Sequence, residues 1–252
     1  MRTGVLLMAY GAAASVEDVP AYLADIRSGR PPDSALIEQV KSRSAAMGGR
    51  SPLMEITANQ TRLLQSRLGP GFEVGMGMRH SAPRIAETLE DLLRARCDPV
   101  IGLPLTPFAS SLSTGAYFQK LGEAATGLGA SPKVRRASSF HDHPRLITAY
   151  AERASEALAR FGGNLPRVLF TAHSLPSRVE KEGDPYSVQL RETAALAAAK
   201  LGLENYDFAY QSRGKTGEPW LGPDAAEVID RLAREGARAV LIAPIGFVSE
   251  HM

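Results

Sequence analysis

Two kinds of apolar segment alternate along the chain. Short, mostly aliphatic runs are typical of parallel strands that are buried on both faces. Longer segments place apolar residues three and four positions apart, as amphipathic helices do. The pattern predicts strands at 5–9, 72–78, 100–105, 167–171, 206–211 and 239–243, and helices at 53–68, 82–96, 144–161, 190–201 and 224–235. Strands that alternate with crossover helices predict an α/β fold with parallel sheets flanked by helices.

The two halves of the chain resemble each other in sequence. Residues 5–10 are similar to 168–173, and 92–104 are similar to 232–244. The two offsets differ, so the first half must hold additional residues, which we place near 20–50 as a helical insertion. We therefore predict two similar Rossmann-like lobes, 1–143 and 144–252, with a cleft between them.

Composition and charge exclude several classes of protein. With 44% apolar and 22% charged residues, the chain is typical of a globular protein rather than a disordered one. A formal net charge of +2 does not favour nucleic acid as a partner. No apolar run reaches the ~20 residues of a transmembrane helix. Cys97 is the single cysteine, so the chain supports neither a disulfide nor a cysteine-bound cluster, and we predict a cytoplasmic protein.

Two residues lie at equivalent places in the predicted repeat. Tyr10 and His173 each follow the first predicted strand of a lobe. Ligands of open α/β sheets bind at the carboxyl ends of the strands, so the cleft would have a phenol on one wall and an imidazole on the other. This arrangement suits a flat ligand. His173 could act as a base or a metal ligand, or could merely cap a turn.

Other segments allow both a structural and a functional interpretation. Ser51 is a suitable N-cap for the helix at 53–68, and a helix N-terminus also attracts anions. Arginines lie on the N-terminal side of this helix and indicate either a solvated basic surface or an anion site: Arg27, Arg30, Arg43 and Arg50. The Ser-rich segment 104–113, followed by Tyr117, could line an apolar slot. We interpret His141-Asp142-His143 as a solvated loop rather than a metal site.

Five motifs, taken in order along the chain, resemble those of the ferrochelatase family. They are Leu7-Met8-Ala9-Tyr10-Gly11, Gly48-Gly49-Arg50-Ser51-Pro52-Leu53, Ala172-His173-Ser174-Leu175-Pro176, Gln211-Ser212-Arg213 with Pro219-Trp220-Leu221-Gly222-Pro223, and residues 244–251. Together they extend over nearly the whole chain. The tyrosine in the first motif is similar to that of the branch that uses coproporphyrin.

The resemblance implies an enzyme, a metal-inserting lyase, with ferrous iron and a porphyrin as its substrates. It would convert coproporphyrin III to its iron complex in haem biosynthesis, with contact to a transient partner of the haem pathway. His173 would be the catalytic residue and a metal ligand, and Tyr10 would face the opposite side of the macrocycle and could ligate iron in the product. Further residues match porphyrin-contacting positions: Arg27, Arg43, Ser44, Ser51 and Tyr117. Ser44 replaces a tyrosine of close relatives, so its contact stays open.

The residue types suit this chemistry. Metal insertion must remove two pyrrole protons and strip water from Fe²⁺, and a neutral imidazole can assist both. Arginine side chains pair well with propionates. Three alternatives remain open: a protoporphyrin IX ferrochelatase, a cobalt chelatase of corrin synthesis, and a non-catalytic haem-binding protein.

The last motif stops short of the family pattern. In that pattern a glutamate, the second metal ligand, follows soon after the histidine of the motif, whereas the sequence ends at Met252. Glu250 lies too early in the motif to replace it. We expect the sequence to be a fragment of a longer reading frame; a genuinely short protein is the alternative.

Overall fold

The computed structural model describes residues 1–46, 48–162, 165–214 and 216–249. These residues divide into two compact units. The first consists mainly of Met1–Leu105 and Ala116–Ser138, and the second of Thr106–Gly115 and Ser139–Val248.

The first unit is built on a parallel sheet of four strands. They are β1 (Arg2–Ala9), β2 (Phe72–Met78), β3 (Cys97–Pro104) and β4 (Val134–Arg136). Their order is β2-β1-β3-β4, with Val5 paired to Val74 on one side and to Ile101 on the other. Because β1 is an inner strand, its residues from Gly4 onward are buried, as the unbroken apolar run in the sequence predicts.

Five helices accompany this sheet in the described part of the chain. They are α1 (Val19–Ile26), α2 (Ser34–Ala46), α3 (Leu53–Leu68), α4 (Ile85–Arg94) and α5 (Thr114–Gly127). Leu89 of α4 and Leu121 of α5 join Leu6, Met8 and Val100 of the sheet in one buried cluster. Helices α1 and α2 pack on each other through a smaller apolar cluster around Val19 and Leu23.

The second unit is built on a parallel sheet of three strands. They are β5 (Arg167–His173), β6 (Asp207–Gln211) and β7 (Val240–Pro244), in the order β6-β5-β7. Its helices are α6 (Pro144–Leu158), α7 (Arg178–Lys181), α8 (Tyr186–Leu201) and α9 (Ala225–Arg234). Phe170 of β5 and Ala194 of α8 lie in one buried cluster of this unit, while Leu169 packs with Leu232 of α9 on the other face of the sheet.

The two sheets repeat one arrangement. In each, the first strand lies between the second and third strands of its unit, and every pairing is parallel. The structure therefore confirms the predicted fold class of two similar lobes with parallel sheets flanked by helices. The division at residue 143 and the cleft stay predictions.

Some element limits differ from those predicted. Helix α4 begins at Ile85 rather than 82, because Arg84 is extended and its backbone N–H is held by Glu87. Helix α8 begins four residues earlier than predicted, at Tyr186, whose N–H donates to Asp184. Strand β5 continues through His173, which is therefore its last residue rather than the first residue after it.

Three of the α-helices and strands in the described part of the chain have no counterpart in the prediction: α5, β4 and the four-residue helix α7. Helix α5 contains Gly115, Gly122 and Gly127, which weaken the helical signal in the sequence. Strand β4 is only three residues long and pairs with β3 alone. Among the described residues, no helix has both the length and the apolar composition needed to cross a membrane.

Candidate functional site

In the first unit, the carboxyl end of β1 presents an aromatic side chain. Tyr10 follows β1 directly and is 40% exposed, whereas the strand before it is buried. Gly11 adopts a φ of +93°, and a Cβ there would lie 2.5 Å from the Ser81 hydroxyl, so only glycine fits. The Gly11 carbonyl accepts a hydrogen bond from the Tyr22 hydroxyl. This turn fixes the direction in which Tyr10 leaves the sheet.

The segment after β2 lies beside Tyr10. The N–H of Arg79 donates to the Ala9 carbonyl, and the N–H of His80 donates to the Tyr10 carbonyl. The rings of His80 and Tyr10 lie 4.6 Å apart, and the Arg79 guanidinium lies 5.9 Å from the Tyr10 ring and 6.0 Å from the Tyr117 ring. The structure thus brings together two predicted residues, Tyr10 and Tyr117, on either side of Arg79, which the sequence analysis missed.

Arg79 and His80 each carry a buried nitrogen without a hydrogen-bond partner in the described part of the chain. These atoms are Nε of Arg79 and Nε2 of His80, whose side chain is 7% exposed. Such atoms are rare in folded proteins and call for an explanation, such as a ligand. The sequence signal was available, since Arg79 and His80 follow β2 just as Tyr10 follows β1.

A carboxylate orients His80. Asp25 of α1 lies 2.7 Å from His80 Nδ1 and accepts a second hydrogen bond, 3.0 Å long, from Arg84. Burial opposes ionisation of Asp25, but the hydrogen bonds from Arg84 and His80 prevail and hold the pKa of its carboxyl below its usual value. Burial lowers the pKa of the His80 imidazole, although Asp25 acts in the opposite direction. His80 is therefore neutral near pH 7, with its proton assigned to Nδ1 and a lone pair on Nε2.

The tyrosines around this group remain protonated at neutral pH. Burial raises the pKa of Tyr10, with Arg79 acting against it. Burial also raises the pKa of the Tyr117 and Tyr22 hydroxyls well above their usual range. This end of the sheet is thus an apolar, aromatic surface beside the cationic Arg79, suited to a flat conjugated ligand that carries negative charge.

The other predicted contacts of the first unit occupy different environments. Arg27 and Arg43 are exposed and make no ion pair among the residues described, so both guanidinium groups can bind carboxylates. Ser51 is 8% exposed, and its hydroxyl accepts a hydrogen bond from the N–H of Leu53, the first residue of α3. Pro52, and not Ser51 as predicted, occupies the N-cap position itself, because the helix begins at Leu53. Ser44 is 1% exposed, so its hydroxyl does not lie at the surface of the unit.

In the second unit, His173 ends the central strand. It is partly exposed, pairs with Gln211 of β6, and its carbonyl accepts a hydrogen bond from the Tyr186 hydroxyl. The turn that follows is fixed by Ser174, whose N–H donates to the Gln211 carbonyl and whose hydroxyl donates to the Leu221 carbonyl. The segment that contains Leu221 therefore helps to fix the turn that follows His173.

Two further motifs have local structural explanations. Gly246 approaches β5 so closely that a Cβ there would lie 3.0 Å from Ala172 Cα. Trp220 lies against Gly214, where a Cβ would come within 2.3 Å of the indole ring. Glu250, His251 and Met252 lie outside the described residues.

Comparison with known proteins identifies the family. The family model described as Ferrochelatase matches residues 2–252. The chain belongs to the ferrochelatase family. A ferrochelatase of Herpetosiphon aurantiacus is 38% identical over all of this chain and 85% of its own length. Proteins named coproporphyrin III ferrochelatase from a Geobacillus species and from Listeria monocytogenes are each 35% identical, over all of this chain and 84% of their own length.

A solved structure shares the fold at low sequence identity. The chain is similar to SirB from Bacillus subtilis with Fe³⁺, at a TM-score of 0.58 and 13% identity, over 97% of this chain and 76% of that one. This likeness concerns the fold alone. Membership of the ferrochelatase family, in contrast, makes the chain a metal-inserting enzyme of haem biosynthesis, with ferrous iron and a porphyrin as its substrates.

Proposed function

We propose that the porphyrin substrate is coproporphyrin III, that Tyr10 contacts the macrocycle and that His173 accepts its pyrrole protons. The single observation that carries the proposal is the group formed by Tyr10, Arg79, His80 and Tyr117, which offers aromatic surface and cationic charge together. Several relatives with 33–35% identity are named coproporphyrin III ferrochelatase. The tyrosine at position 10 supports the same branch.

The first unit binds and orients the macrocycle in this proposal. Tyr10 contacts one face of the tetrapyrrole and is a potential ligand of iron in the product. Arg27 and Arg43 pair with propionates, for which the planar guanidinium is well suited. Coproporphyrin carries more propionates than protoporphyrin, so exposed arginines without ion-pair partners favour it. Ser51, Tyr117 and Ser44 are further porphyrin contacts in this proposal, and Ser44 is the most deeply buried of the three.

The second unit supplies the base. His173 accepts pyrrole protons and takes part in holding Fe²⁺ as its water is removed. Both tasks need a neutral imidazole with a lone pair. In this proposal a glutamate after Met252 is the second metal ligand. We also propose that the enzyme works in the cytoplasm and contacts a transient partner from the haem pathway.

An anaerobic insertion assay tests the proposal. The protein is expressed from its complete reading frame and supplied with Fe²⁺ and either coproporphyrin III or protoporphyrin IX, while loss of porphyrin fluorescence is followed. We expect kcat/KM to be at least about tenfold higher with coproporphyrin. His173→Ala should reduce insertion by about a hundredfold or more, the contribution of a positioned proton acceptor, and should still bind the porphyrin. His143→Ala is the matched control and should retain the rate.

Four results would contradict parts of the proposal. Faster turnover of protoporphyrin would assign the other substrate, and faster Co²⁺ insertion into a corrin precursor would assign the cobalt enzyme. Tight porphyrin binding without metal insertion would indicate a haem-binding protein. A wild-type rate in His173→Ala would remove the role given to that histidine.

A further inference from the structure

Three side chains of types that can bind metal ions converge from two parts of the second unit. His141 and Asp142 lie in the turn before α6, and Glu192 lies on α8. One ligand atom from each lies within 4.8 Å of the other two. The sequence places Glu192 fifty residues beyond the turn, so the adjacent residues 141–143 alone did not indicate the cluster.

The fold holds this turn against α8 independently of the three ligands. The Thr193 hydroxyl donates to the His141 carbonyl, and Gln189, one helical turn earlier, donates to the Ser139 hydroxyl. Thr193 is fully buried. The backbone beside the cluster is therefore fixed by buried contacts. This lowers the loss of conformational entropy when an ion binds.

The His141 ring presents one nitrogen to the cluster. Its side chain is 12% exposed, and its Nδ1 is buried without a hydrogen-bond partner among the described residues. Its Nε2 lies 3.0 Å from a Glu192 carboxylate oxygen. The imidazole therefore directs Nε2, and not the buried Nδ1, toward the two carboxylates.

Both carboxylates are accessible to a bound ion, and that of Glu192 is paired with His141 in the structure. Asp142 and Glu192 are exposed, and Asp142 makes no hydrogen bond or ion pair in the part of the chain that the structure describes. Zinc–nitrogen and zinc–oxygen bonds are about 2.0–2.2 Å long, and rotation of exposed side chains can bring three atoms at this spacing to that distance.

We propose that His141, Asp142 and Glu192 bind a divalent transition-metal ion. One imidazole and two carboxylates are a donor set for Zn²⁺, Fe²⁺ or Co²⁺ rather than for Mg²⁺ or Ca²⁺, which prefer oxygen ligands alone. Water occupies the remaining positions, because the cluster lies at the surface. The site binds metal without His173 and does not rest on the proposed porphyrin chemistry.

Metal titration of the purified protein tests the site. After treatment with a chelator, the protein is titrated with Zn²⁺ by calorimetry and with Co²⁺ by visible absorption, in the His173→Ala background to remove the proposed iron ligand. We expect one ion per chain, bound at least about tenfold more weakly after Glu192→Gln or Asp142→Asn, since loss of even an outer ligand contact costs that much. Glu152→Gln, on an exposed position of α6, is the matched control.

The dependence of Tm on Zn²⁺ concentration separates a bound ion from the plain His141–Glu192 ion pair. A bound ion should raise Tm with increasing Zn²⁺ in the control, because a ligand of the folded state alone stabilises it, and this rise should be absent in Glu192→Gln. In a second variant, His141→Gln, the rise in Tm with Zn²⁺ should also be absent. Equal Zn²⁺ affinity in Glu192→Gln and control protein would overturn the proposal, as would loss of binding in His173→Ala alone.

Discussion

Asp25 shows how one carboxylate organises several functional side chains. It accepts hydrogen bonds from both His80 and Arg84, and His80 in turn packs on Tyr10. An ionised carboxylate on Nδ1 fixes the tautomer and orientation of the ring, so that Nε2 remains an acceptor. Asp25 lies on α1, two residues before Arg27, so its contact with His80 connects this helix to the residues around Tyr10.

Asp25→Asn should lower stability in a pH-dependent way. The pKa of Asp25 is lowered by folding, so its stabilisation is complete above the unfolded value of about 4 and is lost as pH falls through the folded value. At pH 7 we expect a loss of about 1 kcal/mol, which is below the ~1.5–3 kcal/mol typical of hydrogen bonds to a charged group because Asp25 is partly exposed. Urea denaturation from pH 7 to about pH 3 measures this.

Asp230→Asn, at an exposed position of α9, is the control for that series. It should leave the free energy of unfolding unchanged within about 0.5 kcal/mol. If Asp25→Asn and the wild type keep the same difference in stability down to low pH, the ionised carboxylate is not the source of the effect.

At the scale of elements, the close packing of α4 on strand β2 requires glycine at two positions of the strand. A Cβ at Gly75 would lie 2.6 Å from Thr88 Cγ2, and one at Gly77 would lie 2.8 Å from the Ile85 Cα. Both positions face α4, and these glycines allow the helix to approach the sheet closely. Since β2 ends beside Arg79 and His80, this packing also sets where those side chains emerge.

Gly77→Ala should therefore destabilise the first unit. The added methyl group would collide with the backbone of α4, and overpacking of this kind costs about 1–3 kcal/mol. Gly71→Ala is the matched control, because a Cβ there meets nothing within 4 Å. Chemical denaturation of both variants measures the difference. Equal stability of the two would show that α4 shifts freely.

At the scale of the whole molecule, the chain passes between its two units more than once. Residues 106–115 belong to the second unit, although the strand before them and most of the helix after them belong to the first. Asp184 holds this segment through the Ser110 hydroxyl and through both the N–H and hydroxyl of Ser111. The Gln189 side chain accepts a further hydrogen bond from the Ala109 N–H.

Asp184→Asn should release the 106–115 segment. The variant loses charge-assisted hydrogen bonds, so we expect a loss of about 1.5–3 kcal/mol and faster proteolytic cleavage within the segment. Mass spectrometry of the fragments locates the cleavage, and Asp230→Asn again serves as the control. An unchanged cleavage rate would show that other contacts hold the segment in place.

Sequence patterns predicted much of the fold and part of the site. The limits of α3 and β2 agree with the prediction, because each has a clear apolar period and a glycine-containing turn between them. Tyr10 and His173 were found because chemistry collects at the ends of inner strands. The pairing of Asp25 with His80 was missed because the two residues lie 55 positions apart and meet only in the folded unit.

The sequence by itself determined the alternation of strands and helices, the repeat and the family motifs, because these depend on local periodicity and residue order. Only the tertiary structure decided which side chains meet. It placed Asp25 on His80, Glu192 on His141 and residues 106–115 on Asp184, in each case through contacts between segments distant in sequence. Such pairs depend on how helices pack on the sheets, and no local pattern specifies them.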